Sequence, residues 1–267
     1  MTEYKFIDLT LDKYIATVTL NNPKKANSLN IQMWDEIRSI FLSLNSNKDV
    51  RVCIIKSNGK HFTSGIDLNY LKNIMEETKL VEPPAQTEFL HDTIKGMQEA
   101  FSAISDCQKP VIAAIHGLCI GAGVDLIAAC DIRYSTYNSY FSIMETKLGI
   151  VADMGTLQRL PLIIGDGALK EFALTSRIFS GIKAKKIRLV NEYFFTRKRL
   201  YKKAFQLAQE LTHLPEHSVQ GTKKTINFSR DHSVSEGLEY IAKLNSTLLN
   251  SPEMEKEMKK LLGMLKK

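Results

Sequence analysis

The chain has 267 residues, 44% apolar and 24% charged, the balance of a folded globular protein and not of a disordered or fibrous one. Lys and Arg number 36 against 29 Asp and Glu, a net charge of +7; without a block of Lys or Arg this makes nucleic acid an unlikely partner and fits either a solvated surface or an anionic small molecule. No run approaches the ~20 apolar residues of a membrane span, and Cys53, Cys107, Cys119 and Cys130 form no CxxC pair, so they predict reduced core thiols of an intracellular protein.

The opening MTEYKFIDLT carries acids and no apolar segment, unlike a signal peptide, and the closing GMLKK is no peroxisomal address. A cytoplasmic location is the expectation, with an organelle left open. Tyr14–Leu20 (YIATVTL) predicts a first strand. Asn21-Asn22-Pro23 breaks it, and Ile31, Trp34, Ile37, Phe41 and Leu44 recur at helical spacing behind a cap at Ser28 or Asn30. Val50–Lys56 predicts a second strand, Ser57-Asn58-Gly59 a turn, and Asp67–Glu76 a helix. After the loop VEPP, the residues Phe89, Ile94, Met97, Phe101 and Ile104 mark a long amphipathic helix that ends at Lys109-Pro110.

Val111–Ile115 (VIAAI) predicts a buried strand, GLCIGAG a turn, and Val124–Ala129 a helix; Asp131–Tyr134 and Tyr140–Ile143 predict two more short strands. This alternation fits a parallel sheet with crossover helices. From Thr156 on the pattern is helical, with helices predicted over Thr196–Leu211, Glu216–Phe228, Val234–Leu249 and Pro252–Met264. The shift near Arg197 divides the chain into a core, 1–196, and a helical region, 197–267.

The GAG of Gly121–Gly123 is a poor dinucleotide site: Leu126 stands where the fingerprint has glycine, and Asp125 would repel a pyrophosphate. No phosphate loop, HExxH or GxSxG motif is present. His61 and His116 lack a second ligand at metal-site spacing and predict structural hydrogen bonding, with no metal.

Two glycine turns and three acids remain. A strand, glycines and then a helix leave first-turn N–H groups without intrahelical partners, that of Ala122 among them. In the loop Thr63–Asp67, Gly65 permits a tight turn that can leave the Ile66 N–H outward. Converging on one carbonyl oxygen, such donors form an oxyanion hole; on spacing alone, Gly65 and Gly121 serve equally well as ordinary turns. Asp125, Glu145 and Asp153 lie in apolar surroundings, which raise carboxyl pKa values toward the range useful for proton transfer. Singly, Asp125 and Glu145 would also suit helix caps or pairs with Arg133 and Lys147.

The segment HGLCIGAGVDLIAACDIRY, followed by ETKLGIVADMGTLQRLP, closely resembles the crotonase superfamily of enoyl-CoA hydratases and isomerases; NNPKKANSLN and HFTSGIDL resemble its two N-terminal signatures. The resemblance implies an α/β fold, a spiral of ββα units with the active site in 1–196 and a C-terminal helical trimerisation region in 197–267, giving homotrimers or hexamers. It implies an acyl-CoA thioester substrate, CoA being part of the substrate and no cofactor needed, with the thioester oxygen held by the N–H groups of Ile66 and Ala122. Many relatives have glycine where Ala122 stands, but the N–H is kept. Ser64, Gly65, Asp67 and Gly121 flank those donors as substrate-binding positions, Lys24 or Lys25 would meet the CoA phosphates, and apolar residues of Leu71–Phe89 would line the acyl pocket. Hydratases of the superfamily carry glutamate at positions 125 and 145 and glycine at 153. The set Asp125, Glu145, Asp153 resembles instead the Δ3,5-Δ2,4-dienoyl-CoA isomerase branch of fatty-acid β-oxidation. It implies Glu145 and Asp153 as the proton-shuttling pair, in unassigned order, and Asp125 as the residue that orients or tunes them. Enoyl-CoA hydration is the alternative, and an RNA-binding protein of this fold a distant one.

Overall fold

A computed structural model describes residues 4–264; the terminal sequences read for targeting lie partly outside these residues. The chain opens with β1 (Ile7–Asp12) and β2 (Ile15–Leu20), paired antiparallel with Asp12 opposite Ile15. The two-residue turn between them, Lys13-Tyr14, has φ of 47° and 68°, the geometry whose twist suits a hairpin. There follow α1 (Ile31–Ser46), β3 (Val52–Ser57), α2 (Leu68–Leu80), α3 (Gln86–Asp106), β4 (Val111–Ile115), β5 (Leu118–Ile120), α4 (Ala122–Ala128), β6 (Ile132–Thr136) and β7 (Tyr140–Ser142). The remainder is α5 (Thr156–Arg159), α6 (Pro161–Ile164), α7 (Asp166–Thr175), β8 (Phe179–Ser180), α8 (Gly181–Lys186), β9 (Glu192–Phe194), α9 (Arg197–Thr212), α10 (Glu216–Phe228), α11 (Val234–Leu248) and α12 (Pro252–Met264).

Six strands form the main sheet in the order β1-β2-β3-β4-β6-β9, parallel from β2 onward, and β5-β7-β8 form a small second sheet. Each turn of the spiral lays one strand on the main sheet and then one short stretch on a second ladder. β4 is followed by β5, and β6 by β7. β3 is followed by Thr63, which bridges Cys119 of β5, and β2 by Leu29, which bridges Ile66. This is the ββα repeat, and its second strand shrinks to single bridges in the first two turns.

Strand β4 is apolar throughout, and β3 over its first four residues, because both faces are covered. Val52 and Ile54 of β3 and Ile112 and Ala114 of β4 face Leu200, Ala204 and Ala208 of α9. Cys53, Ile55, Val111, Ala113 and Ile115 face the larger core, which takes in α1, α3 and α4. Helix α1 begins where the Asn30 side chain accepts the Met33 N–H at 3.0 Å, so Asn30 is the cap and not Ser28. It buries Met33, Trp34, Ile37, Ile40, Phe41 and Leu44. Beyond α9 the helices leave the sheet. Leu238, Leu249, Leu261 and Leu262 stay exposed, and a mostly apolar groove of about 450 Å³ runs between α12 and the start of α10. Among the described residues no helix is long and apolar enough to cross a membrane.

Candidate active site

Two loops from successive turns of the spiral meet at the C-terminal end of the sheet. The first follows β3. Its conformation needs glycine: Gly65 has φ +87°, and a Cβ there would stand 2.6 Å from the Ile120 carbonyl oxygen and 3.4 Å from the Ala122 nitrogen. The second follows β5, where Gly121 has φ +54° and its N–H donates to the Ser142 carbonyl at 2.9 Å. Hydrogen bonds fix the frame of both turns. The Leu29 N–H donates to the Gly65 carbonyl at 2.8 Å, and the Asp67 N–H to the Leu29 carbonyl at 2.9 Å. Among the described residues, neither the Ile66 nor the Ala122 N–H donates to a group of the chain. Two apposed turns thus each present a free backbone donor, Ile66 in one and Ala122 in the other, among the described residues.

Both border a cavity of about 550 Å³ whose walls include Ser64, Gly65, Asp67, Gly121, Glu145 and Asp153. Its apolar wall comes from Trp34, Ile66, Leu68, Ile120, Met144 and Leu148. That corrects the expectation for Leu71–Phe89, none of which lines it. Ile74, the one buried residue of α2, joins the main core, while Met75 and Leu80 point to solvent.

The three acids are separated by burial. Asp125, on α4, is 1% exposed and stands behind the cavity wall; its Oδ1 accepts the Thr156 N–H, the first of α5, at 2.7 Å. Burial pushes its pKa up to about 6; the hydrogen bonds from Thr156 oppose this, and the Asp153 charge adds to it. Glu145 begins the short 3-10 turn after β7 and is buried. Its Oε2 has no hydrogen-bond partner, and a Cβ on Gly121 would stand 3.3 Å from its Oε1. Burial, then the charge of Asp125, pushes its pKa up to about 7, and Asp153 contributes in the same direction. Asp153, half-buried in the loop before α5, is also raised, by burial. Its carbonyl accepts the Gln98 side chain of α3 at 2.6 Å. Arg133, a possible partner for the acids, instead binds the carbonyls of Leu189 and Cys130.

Lys25 Nζ lies 3.1 Å from the Asp67 carboxylate, which also accepts the Ser28 hydroxyl at 3.2 Å and caps α2 through the Asn69 N–H at 2.9 Å. Burial works to raise the Asp67 pKa, but the bonds from Lys25, Asn69 and Ser28 outweigh it and hold it below the usual range. Lys25 reaches the cavity rim; Lys24, its neighbour, is exposed and off the wall. His116 Nε2 lies 3.1 Å from the Gly59 carbonyl and its Nδ1 3.1 Å from the Tyr201 hydroxyl, while His61 Nδ1 accepts the Leu118 N–H at 3.2 Å. Burial pushes the His116 pKa down to about 4, so it is a neutral structural residue. Sequence reasoning passed over Gln98, Thr156 and Thr63. Each acts through a contact distant in sequence; Thr63 and Thr156 lie inside segments that the sequence singles out, and Gln98 does not.

An α/β spiral with this cavity between its turns is the crotonase fold. Two solved structures share it over nearly the whole chain. One is a putative enoyl-CoA hydratase from Streptomyces coelicolor, with TM-score 0.89 and 24% identity, covering 99% of this chain and 94% of that one. The other is a putative enoyl-CoA hydratase/isomerase family protein from Hyphomonas neptunium, with TM-score 0.88 and 27% identity, covering 97% and 95%. Residues 10–266 match the profile of the enoyl-CoA hydratase/isomerase family, and the chain belongs to that family. Its relatives include the peroxisomal Δ3,5-Δ2,4-dienoyl-CoA isomerase of Arabidopsis thaliana, 43% identical over 95% of this chain and 93% of that protein. The mitochondrial dienoyl-CoA isomerase of Homo sapiens is 39% identical over 91% of this chain and 75% of that protein.

Proposed function

We propose that the chain is a Δ3,5-Δ2,4-dienoyl-CoA isomerase of fatty-acid oxidation. The observation that carries this is the joint placement of two free backbone donors and two carboxyl groups of raised pKa, Glu145 and Asp153, on one largely apolar cavity.

The thioester oxygen sits between the Ile66 and Ala122 N–H groups. Glu145 stands against Gly121, beside the Ala122 donor, and is therefore the acid nearest the carbonyl end. Ionised, it takes a proton from C2. The charge passes into a dienolate, whose oxygen the two donors stabilise; one such donor is worth ~3–4 kcal/mol in a transition state. Asp153, in the protonated form that burial favours by raising its pKa, delivers its proton to C6, and the conjugated 2,4-diene results. The site resets when Glu145 releases its proton and Asp153 regains one. No metal or cofactor takes part, and CoA enters with the substrate. Asp125 tunes the pair by charge from behind the wall. Ser64, Gly65, Asp67 and Gly121 shape the thioester end, and Lys25, with Lys24 beside it, meets the CoA phosphates.

Hydration is the lesser reading because Asp125, the position where a hydratase needs a water-holding carboxylate, is committed to the Thr156 N–H and lies off the cavity. The exposed apolar residues of α11 and α12 support self-association as a homotrimer or hexamer, which light scattering tests. A cytoplasmic location belongs to the same proposal, and fractionation decides it against the peroxisomal and mitochondrial locations in the names of the relatives. The function itself is tested by incubating the protein with a 3,5-dienoyl-CoA and following ultraviolet absorbance as the conjugated diene forms.

A further inference from the structure

The Ile66 and Ala122 donors must keep one spacing, yet they belong to different turns of the spiral. One residue touches both turns. Thr63 is fully buried. Its hydroxyl donates to the Asn27 carbonyl at 2.7 Å and accepts the Gly65 N–H at 3.1 Å. Its main chain pairs with the second loop: the N–H donates to the Leu118 carbonyl at 3.0 Å, and the carbonyl accepts the Ile120 N–H at 3.3 Å. Its methyl fills the space that Gly123 leaves open, where a Cβ would stand 2.5 Å from Thr63 Cγ2.

The hydroxyl bond falls at a sensitive point. Gly65 precedes Ile66, so the orientation of the Gly65 backbone sets the direction of the Ile66 N–H. Gly65 is held in the left-handed region, φ +87°, and its carbonyl is fixed by the Leu29 N–H. The Thr63 hydroxyl is what fixes its N–H. The acceptor on the far side is equally firm. Asn27 is fully buried, with φ 53°. Its side chain accepts the Asn22 N–H at 2.7 Å and donates to the carbonyls of Asn58 and His61 at 2.8 and 2.9 Å. A rigid backbone carbonyl thus orients the hydroxyl proton away from Gly65, which leaves a lone pair for the Gly65 N–H.

We propose that Thr63 is a positioning residue for the oxyanion site, its hydroxyl setting the Gly65 backbone and hence the aim of the Ile66 N–H at the thioester oxygen. This rests on the isomerase function proposed above. A small misplacement of a group that stabilises a transition state costs on the order of 10²-fold in rate, whereas ground-state binding, spread over CoA and the acyl chain, changes little. A merely structural threonine would affect stability and leave the polarisation of the bound carbonyl as it was.

The test compares Thr63→Val, which keeps the shape and loses the hydroxyl, with Thr63→Ser, which keeps the hydroxyl. Thermal unfolding identifies the folded fraction. Carbonyl polarisation is read from the absorbance red shift of a bound aryl-conjugated 2-enoyl-CoA, and kcat and KM are measured on a 3,5-dienoyl-CoA. Thr63→Val should lose most of the red shift and about 10- to 100-fold in kcat, with KM within about twofold. Thr63→Ser should keep both within about threefold. A folded Thr63→Val with the wild-type red shift and kcat overturns the proposal, as does a Thr63→Ser as impaired as the valine variant. If Thr63→Val does not fold, Thr63→Ala takes its place with the same expected and contrary results. Wild-type protein that shows neither red shift nor isomerisation removes the function itself; wild-type protein that shows both, matched by every variant, removes only the role of Thr63.

Discussion

The Asp125 carboxylate accepts the Thr156 N–H at 2.7 Å, so α4 is pinned to α5 across the loop that carries Asp153. That bond occupies Oδ1 of Asp125, which is buried and does not line the cavity that Glu145 and Asp153 border.

The effect of Asp125 on Glu145 is electrostatic, and removing the charge should show it. The Asp125 charge helps raise the Glu145 pKa to about 7, after burial itself. In Asp125→Asn the amide oxygen can still accept the Thr156 N–H, but the charge is gone. The acid limb of the kcat/KM profile, which reports ionisation of Glu145 in the free enzyme, should move to lower pH by about half a unit to one unit. An unmoved limb would mean that the carboxylates do not couple.

Asp153→Asn keeps the shape of the side chain and cannot deliver a proton to C6. Isomerisation should fall by on the order of 10²- to 10⁴-fold, while a non-reactive acyl-CoA binds within a few-fold of wild type by calorimetry. Activity near wild type would show that another group supplies the proton.

Gly65→Ala places a methyl 2.6 Å from the Ile120 carbonyl oxygen and forces alanine to φ +87°. The two donor turns must separate, because backbone and not a flexible side chain is in the way. At least ~10²-fold of kcat should be lost, and the folded variant should show a smaller red shift of a bound conjugated enoyl-CoA. An unchanged shift would show that the spacing of the turns does not set carbonyl polarisation.

Stability should also carry the mark of the raised acids. For Glu145, the folded value of about 7 lies above its ordinary 4.5. Its contribution to stability is therefore full below the ordinary value, declines as pH rises, and is gone above the folded value. Glu145→Gln removes that decline. Relative to wild type the variant should gain little at pH 4 and at most roughly 3 kcal/mol at pH 8, read as a higher Tm in thermal scans at the two pH values. An equal gain at both would point to packing instead of ionisation.

The sequence made the centre of this molecule legible because its constraints are local. β4 and α4 could be read because burial leaves VIAAI apolar and VDLIAA apolar but for Asp125, and the glycines between them mark the turn. The helix α10 was read to its observed ends, Glu216 and Phe228. β1 was not, since IDLTLD is an edge strand with three exposed polar positions, Asp8, Thr10 and Asp12, and lacks the apolar run that marks β3. β8 and β9 are two and three residues long and exist only because neighbouring strands offer them an edge. In the site, residue types pointed to the acids and the turns, but not to which acid faces the cavity. The Gln98–Asp153 contact spans 55 positions, and no local pattern encodes it. The acyl wall was misplaced for the same reason: apolar residues after Leu71 read as pocket lining, and only the packing of α2 shows them facing the core or solvent.

The most direct measurement is the isomerase assay. Purified protein with a 3,5-dienoyl-CoA should raise ultraviolet absorbance as the conjugated 2,4-diene accumulates, and Asp153→Asn should abolish the rise. No rise with the intact chain, together with rapid water addition to a short 2-enoyl-CoA, would contradict the isomerase and establish a hydratase in its place.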